Sequence, residues 1–485
     1  MENLKARAVR SGFVRLCGEG VKFALRLGSM AVLARLLAPE DFGLVAMVAV
    51  IIGIYGVFSS AGLSSATVQK ATITDEQIST LFWINLLIGV MLALLCVATA
   101  PVLAAFYHEP HLFWVTVAMA AGFLFSAAGV QHLALLERQL RYTSLTVIDL
   151  LSELLSVAVG IGMAIAGLGY WALVAKAIIP PAISTACMWL TTAWVPAMPR
   201  RKVGTGSMLR FGGTITLNGV VVYVAYNIEK VLLGRFWGPD ALGIYDRAYQ
   251  LINIPTANLN SAIGGVAFSA LSRLQHDPVR LKSYFLKGYS LVNSMTLPTT
   301  MFCALFAHDI VMVVLGAKWT EAANIFRLLA PTILIFGIIN PLGWLLLSIG
   351  LQARSLAIAL VIAPLVIAAY VIALPYGPSG VAFAYSAAMT LWLFPHILWC
   401  LRGTVISVRE LLLAIGRPLF SSVVAAAVAV AVQFYFAQLQ APSWRLLLGG
   451  AVMVGVYLWM LLFVMGQKRF YFDVLKGLKS SPSTT

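Results

Sequence analysis

The feature that most constrains this chain is its series of long apolar segments, most of about 20 residues or more. A helix of that length crosses a hydrocarbon core of roughly 30 Å. Runs such as 86–105 are apolar on every side, whereas the strands of a membrane barrel alternate polar and apolar residues. Because 61% of the residues are hydrophobic and only 11% are charged, the sequence predicts an all-α integral membrane protein.

Glycine, proline and charged residues between these segments mark the ends of about fourteen predicted transmembrane helices. The predicted spans are 12–37, 42–66, 79–107, 112–135, 143–167, 170–194, 209–236, 241–267, 284–315, 321–350, 354–375, 379–401, 412–437 and 443–467. If the N-terminus is cytoplasmic, 22 of the 33 Lys and Arg residues fall on the inner side and four on the outer side. This positive-inside bias predicts that both termini lie in the cytoplasm.

Several kinds of site are not predicted. A net charge of +15 would suggest nucleic-acid binding in a soluble protein, but here the basic residues follow the ends of the spans. The five cysteines have no paired spacing, and the segment HEPH (108–111) differs from the zinc motif H-E-x-x-H and contains a proline. A phosphate-binding G-x-x-x-x-G-K-[ST] loop is absent from the sequence. We therefore expect no metal, no cofactor, no nucleic-acid partner and no extramembrane domain.

A repeated segment indicates an internal duplication. LARLLAPEDFG (33–43) and LGRFWGPDALG (233–243) share an Arg, a Pro, an acidic residue and a Gly at an offset of 200 residues. Six spans separate the copies, so both enter the membrane in the same direction. We predict two six-helix lobes, 1–200 and 201–405, an extra helix pair, 406–467, and a cytoplasmic tail, 468–485. The repeated turn is interpreted as a structural corner whose Arg35 and Arg235 reach the outer surface.

A row of charged residues in the first span is the main candidate site. Arg15, Glu19, Lys22 and Arg26 follow helical spacing and lie within about 60° of one another. Snorkelling from the cytoplasmic end accounts for Arg15 but not for Arg26, which lies roughly 16 Å from either end of the span. Since a charge in a span is costly unless it faces water or protein, the row predicts a water-filled cationic cavity.

A second row of residues is polar with little charge. Asp246, Gln250, Asn253 and Asn260 share one face of the eighth span, where Pro255 interrupts the helix. This face either lines a cavity and binds hydroxyl groups, or forms a helix–helix interface through amide hydrogen bonds. One cationic and one polar lobe together suit a ligand with an anionic group and a hydroxyl-rich portion.

Two acids of the fifth span are candidates for coupling transport to protons or sodium. Asp149 and Glu153 share a face with two serines, and we expect these acids to pair with Arg138 or Arg141. Lys176 in the sixth span is interpreted as an anchor near the outer end of that span.

Four further charges flank the outer turn between the seventh and eighth spans. Glu229 and Lys230 precede the turn, and Asp246 and Arg247 follow it. We predict that they form a salt-bridge latch, which makes this group a second candidate for coupling or gating.

Four stretches of the chain resemble the polysaccharide-transporter branch of the multidrug/oligosaccharidyl-lipid/polysaccharide exporter superfamily. The closest resemblance is to the Wzx-type flippases of O-antigen and exopolysaccharide assembly, in particular the colanic-acid-exporter-like group. In chain order the stretches are LARLLAPEDFGLVAM (33–47), ALLERQLRYTSL (134–145) followed by GLGYWALV (167–174), LLGRFWGPDALGIYDRAYQL (232–251) and VAFSALSRLQHDPVRL (266–281). The chain departs from the group at Ser269, where a proline is typical.

The resemblance implies a V-shaped bundle of two six-helix lobes that opens alternately to each side of a bacterial inner membrane. It implies a flippase, and not an enzyme, that moves a polyprenyl-diphosphate-linked oligosaccharide repeat unit for lipopolysaccharide or exopolysaccharide biosynthesis. We expect membrane lipid and the polysaccharide polymerase and chain-length machinery as further partners. The alternatives are a multidrug exporter of the same superfamily, which the positive charge of the first span disfavours, and a membrane polymerase or ligase, which the short loops disfavour.

Overall fold

The computed structural model describes residues 2–59, 67, 73–199, 223–224, 226–435, 441–469 and 471–472, without the side chains of 2–16, 59, 257–263, 266 and 435. Apart from turns and short 3₁₀ and π segments, the described chain is α-helical. In chain order the helices are α1 (Glu2–Leu36), α2 (Pro39–Ser59), α3 (Asp75–Tyr107), α4 (His111–Arg138), α5 (Tyr142–Ile165), α6 (Trp171–Thr192), α7 (Ile228–Arg273), α8 (Pro278–Leu305), α9 (Ala307–Val314), α10 (Thr320–Leu329), α11 (Pro331–Ser348), α12 (Gln352–Ala373), α13 (Gly377–Leu401), α14 (Val408–Tyr435) and α15 (Pro442–Trp459).

The predicted spans coincide with these helices, except for 209–236, most of which lies outside the described residues. Within the described residues, nine segments are long and apolar enough to cross a membrane, or ten if α8 and α9, bent by 80°, form one span. The segment 352–401 counts once although it contains two helices, because a 3₁₀ turn continues α12 into α13. The predicted all-α membrane fold is therefore confirmed.

The chain forms two compact units, Met1–Asp246 and Arg247–Thr485. In the first unit α4 packs against α3 and α6, and α5 packs against α1 and α6. In the second unit α14 packs against α8 and α15 around a core that includes Phe306, Met453 and Tyr457. The predicted domain boundaries at 200, 405 and 467 remain predictions.

Gly238 breaks α7 into two parts. Its backbone has φ 81° and ψ −178°, a conformation that side chains disfavour and that interrupts the helical hydrogen bonds. The break folds the chain back, because Nζ of Lys230 lies 3.0 Å from Oδ1 of Asp246. In a straight helix residues at this separation would be about 24 Å apart. The turn predicted between the seventh and eighth spans is thus present within α7.

The repeated turns pack against each other within the first unit. A Cβ atom on Gly43 would overlap the carbonyl group of Pro239, and a Cβ atom on Gly243 would overlap the carbonyl group of Pro39. These positions correspond under the 200-residue offset, so the contact is reciprocal. Reciprocal packing of equivalent residues is expected when a duplicated segment pairs with its copy around a pseudo-two-fold axis.

Candidate functional site

A close approach of two helices brings the charged row of α1 against α5. Gly18 makes this approach possible, since a Cβ at this position would overlap the side-chain methyl group of Thr146. One and two turns further along α1, Lys22 and Arg26 then lie beside the acids of α5. The helical spacing of both rows keeps their charged groups in register.

Lys22 is the centre of this arrangement. Its Nζ atom lies 3.0 Å from Oε1 of Glu19 on the same helix and 3.0 Å from Oδ2 of Asp149 on α5. The Lys22 side chain is only 13% exposed, whereas both carboxylates are about half exposed. A mostly buried ammonium group with two carboxylate partners is electrostatically compensated and held in one position.

Arg26 is held more loosely. Its Nε atom lies 3.9 Å from Oε2 of Glu153, and its side chain is 65% exposed while that of Glu153 is 13% exposed. Ten residues, or about 15 Å, separate Arg26 from the end of α1 at Leu36. The guanidinium group therefore leaves most of its donors available, far from the end of the helix.

Lys176 extends this polar network to α6. Its Nζ donates to Oγ of Ser29 at 2.6 Å, and Oγ of Ser29 in turn donates to the backbone carbonyl of Arg26. Ser156 on α5 donates to the backbone carbonyl of Lys176 at 2.9 Å. Lys176, interpreted from the sequence as an anchor, therefore also joins the network. A lysine within an apolar span is the sequence signal for such a role.

The acids of α5 have different partners from those predicted. Asp149 and Glu153 lie beside the cations of α1, whereas the guanidinium groups of Arg138 and Arg141 donate to backbone carbonyls of Thr67 and Thr191. The sequence pattern of one helix shows which residues share a face, but it does not show which neighbouring helix that face contacts.

The described side chains of the network balance in charge, and the predicted cationic cavity remains a prediction. The described members of the network are three cations and three acids. They are Lys22, Arg26 and Lys176, and Glu19, Asp149 and Glu153. The side chain of Arg15 lies outside the described residues. An anionic ligand would therefore meet cations that already have counter-charges.

The predicted latch is present in part. Lys230 and Asp246 form a buried ion pair, with side chains 15% and 4% exposed. Both carboxylate oxygens of the neighbouring Glu229 are buried and have no hydrogen-bond partner among the described residues. Arg247 also has partners, and its place in the latch remains a prediction.

The polar row of the eighth predicted span is not assembled into one described site. Asp246 is committed to Lys230, Gln250 is half-buried and Asn253 is exposed. The side chain of Asn260 lies outside the described residues. The hydroxyl-binding role of this row remains a prediction.

A cavity of about 550 Å³ lies elsewhere in the first unit, between α2, α3, α4 and α6. Its walls are mainly apolar and include Gly53, Gly56 and Phe123. The one buried amide in the wall, Asn85, has an Nδ2 atom without a hydrogen-bond partner in the described part of the chain. Searching the described residues alone, we find no group of three His, Cys, Asp or Glu side chains that could hold a metal ion.

Comparison with known sequences identifies a matching family and similar proteins. The sequence model of a family described as polysaccharide biosynthesis protein matches residues 32–324. The chain is 29% identical over 294 residues to the teichuronic acid biosynthesis protein TuaB of Bacillus subtilis, with 60% of each protein covered. It is 25% identical over 330 residues to the lipopolysaccharide biosynthesis protein WzxC of Escherichia coli, with 67% of this chain and 66% of that protein covered. The alignments thus span slightly less than two thirds of these relatives.

Comparison with solved structures extends the likeness to nearly the whole chain. The lipid II flippase MurJ, in an inward closed conformation, superposes with a TM-score of 0.76 over 96% of this chain and 100% of the other, at 14% identity. A multidrug resistance MATE family transporter, in an inward-facing conformation, gives a TM-score of 0.63 over 80% of this chain and 97% of the other, at 13% identity. At these identities the likeness concerns the fold.

Proposed function

Because this chain belongs to the polysaccharide biosynthesis protein family, we propose that it is a flippase for a polyprenyl-diphosphate-linked oligosaccharide repeat unit. It moves this lipid across the bacterial inner membrane by alternating access, with both termini in the cytoplasm. On the outer side the repeat unit becomes available to polymerising and chain-length machinery. The names of the relatives, which refer to teichuronic acid and lipopolysaccharide biosynthesis, support this class of substrate.

The observation that carries the proposal is the position of Arg26. A guanidinium group that is 65% exposed about 15 Å from the end of its helix would be costly in contact with hydrocarbon. The cost is avoided if the group faces a water-filled path through the protein. Arginine also binds diphosphate oxygens in a bidentate manner, which suits an anionic headgroup on that path.

The acids around the cations allow the site to release the diphosphate of its substrate. Without a substrate, Glu19 and Asp149 hold Lys22, and Glu153 lies near Arg26. A diphosphate that binds these cations displaces the carboxylates, which then take up protons or a cation. Return of the carboxylates to the cations expels the diphosphate on the other side. This exchange of counter-ions keeps the net charge of the network nearly constant through the cycle.

The same pairing disfavours the alternative of a drug exporter for organic cations. Such a protein needs acids that are available to a cationic ligand. Here Glu19 and Asp149 share Lys22 at 3.0 Å, so part of their charge is already neutralised by the protein. We propose a transporter role and no catalytic one.

Substitution of Arg26 tests the proposal. We expect Arg26→Ala to be inserted normally and to lower export about tenfold to a hundredfold, because a charge-assisted hydrogen bond to the headgroup is lost. Arg26→Lys should restore part of the activity, since it keeps the charge but not the bidentate geometry. The measurement is accumulation of lipid-linked repeat units on the cytoplasmic side at matched protein levels.

Arg445 provides a matched control for this experiment. It belongs to the second unit, where its Nη2 atom lies 2.8 Å from Oδ1 of Asp309. Arg445→Lys retains this pair and should export normally. Normal export by Arg26→Ala would contradict the proposal.

A further inference from the structure

The second unit contains a basic cleft that the proposed transport site does not use. It is a cavity of about 850 Å³ between α8, α14 and the chain segment that follows α15. Its position at the start of α14 places it at the end of the unit that the charge bias predicts to face the cytoplasm. The lining residues are Leu286, Lys287, Ser290, Glu410, Leu412, Leu413, Ala414, Gly416, Arg417, Gly466, Gln467 and Arg469.

Three cations of the basic cleft have no acidic partner among the described residues. Across the described residues, no carboxylate oxygen lies within 4 Å of Lys287, Arg417 or Arg469. The one acid in the lining, Glu410, is engaged elsewhere. Its Oε1 atom lies 2.6 Å from Nζ of Lys282, and its Oε2 atom accepts from the backbone N–H of Ser407, just before α14. The cleft therefore carries uncompensated positive charge.

A buried amide at the base of the cleft, that of Gln467, lacks a hydrogen bond to its oxygen among the described residues. After α15 the chain forms a π turn over Met460–Val464, and Gly466 then adopts φ 65°. This local geometry turns Gln467 inward, where it is 9% exposed and lines the cleft. Its Oε1 atom has no hydrogen-bond donor in the described part of the protein. A buried acceptor of this kind usually has a partner, and the described residues supply no donor here.

The rim of the cleft is apolar. Leu412 and Leu413 of α14 are 59% and 65% exposed although they line the same cavity as the cations. Two exposed leucines at the end of a membrane-spanning helix suit acyl chains at the interface. The ligand of this cleft is therefore amphipathic, with an anionic head and an apolar tail.

We propose that the basic cleft binds an anionic glycerophospholipid whose headgroup carries hydroxyl groups, of the phosphatidylglycerol class. Lys287, Arg417 and Arg469 bind the phosphate, and a headgroup hydroxyl donates to Oε1 of Gln467. The acyl chains lie along Leu412 and Leu413. This is a site for a resident membrane lipid, separate from the network of α1, α5 and α6, and it does not depend on which substrate the protein transports.

Lipid retention by the purified full-length protein tests the charged part of the site. The protein is reconstituted in phosphatidylcholine nanodiscs with a minor fraction of phosphatidylglycerol, and co-purified lipid is quantified by mass spectrometry after exchange into detergent. We expect phosphatidylglycerol to be enriched and Arg417→Gln/Arg469→Gln to reduce the enrichment about tenfold or more, since each cation near an anionic lipid contributes to binding. Soluble glycerophosphate should not displace the lipid, because it lacks the acyl chains.

Arg402→Gln/Arg409→Gln is the matched control. It removes the same number of positive charges from the same end of the unit, where both arginines are exposed and neither lines the cleft. Equal loss of enrichment in the two double variants would show a general surface attraction and would overturn the proposal. Displacement by glycerophosphate at similar concentration would also overturn it, because the site would then bind a free anion.

Gln467→Leu tests the amide without changing the charge. Removing a buried acceptor that has no donor should leave the thermal stability equal or slightly higher. If the amide binds the headgroup, the variant should lose the preference for phosphatidylglycerol over phosphatidic acid, whose phosphate carries no glycerol head. An unchanged preference would contradict the assigned contact. This variant keeps the proposal testable even if the double arginine variant fails to fold.

Discussion

The charged network of the first unit and the basic cleft of the second unit contain similar residues in opposite electrostatic states. In the network, Lys22 has two carboxylate partners at 3.0 Å and Arg26 lies near a third carboxylate. In the basic cleft, the lining acid Glu410 is already bound by Lys282, and the three lining cations have no described acidic partner. The presence of cations therefore does not by itself define an anion-binding site. What matters is how much of their positive charge is left without an acidic partner.

The difference has a consequence for binding in each region. A ligand of the network has to replace carboxylates, so its binding is an exchange that can be coupled to protonation or to a cation. A ligand of the cleft adds charge where none opposes it, so its binding is a simple association that weakens with salt. The first behaviour suits a transported substrate that must be released, and the second suits a lipid that remains bound.

Replacing one lysine by methionine in each region is expected to give the largest difference in the free energy of unfolding. Lys22→Met leaves Glu19 and Asp149 next to each other without their shared cation, and we expect it to cost about 2 kcal/mol. Lys287→Met in the cleft should change the free energy of unfolding by less than about 0.5 kcal/mol. Denaturant unfolding of both variants in the same detergent measures the difference. Equal costs would mean that the network is not compensated in the way the structure shows.

A smaller difference between the regions is expected in the coupling energy of a hydrogen bond that lysine donates to serine. A double-mutant cycle between Lys176→Met and Ser29→Ala should give a coupling energy of about 1 kcal/mol, because the two side chains are 2.6 Å apart. The corresponding cycle between Lys287→Met and Ser290→Ala should give a coupling energy near zero. Lys287 and Ser290 both line the cleft, yet no hydrogen bond joins their side chains. A similar coupling in both cycles would remove the distinction between the two regions.

The sequence predicts the parts of this comparison that depend on a single helix. The membrane spans, the turn near Gly238 and the helical row of Glu19, Lys22 and Arg26 follow from local periodicity and from glycine and proline. The pairing of α1 with the acids of α5 does not, because it depends on which helices are neighbours and on their register. Gly18 against Thr146 sets that register, and no local pattern distinguishes this glycine from others.

The basic cleft was missed for a related reason. Lys287, Arg417 and Arg469 are far apart in the sequence and were counted only as part of the positive-inside bias. Gln467 enters the cleft because of a π turn, and a π turn has no simple sequence signature. Charged rows within one helix are therefore easier to recognise from a sequence than charged clusters built from several helices.

The smallest expected effect concerns the pair between Arg26 and Glu153. A separation of 3.9 Å and a side chain that is 65% exposed indicate a weak interaction, and a double-mutant cycle with Arg26→Gln and Glu153→Gln should give a coupling energy of about 0.5 kcal/mol. Denaturant unfolding of the four proteins measures this energy. A small coupling combined with a large loss of export in Arg26→Ala would assign the importance of Arg26 to the ligand. A coupling above about 2 kcal/mol would show that Arg26 mainly stabilises the contact between α1 and α5, and a loss of export would then reflect the structure of the network.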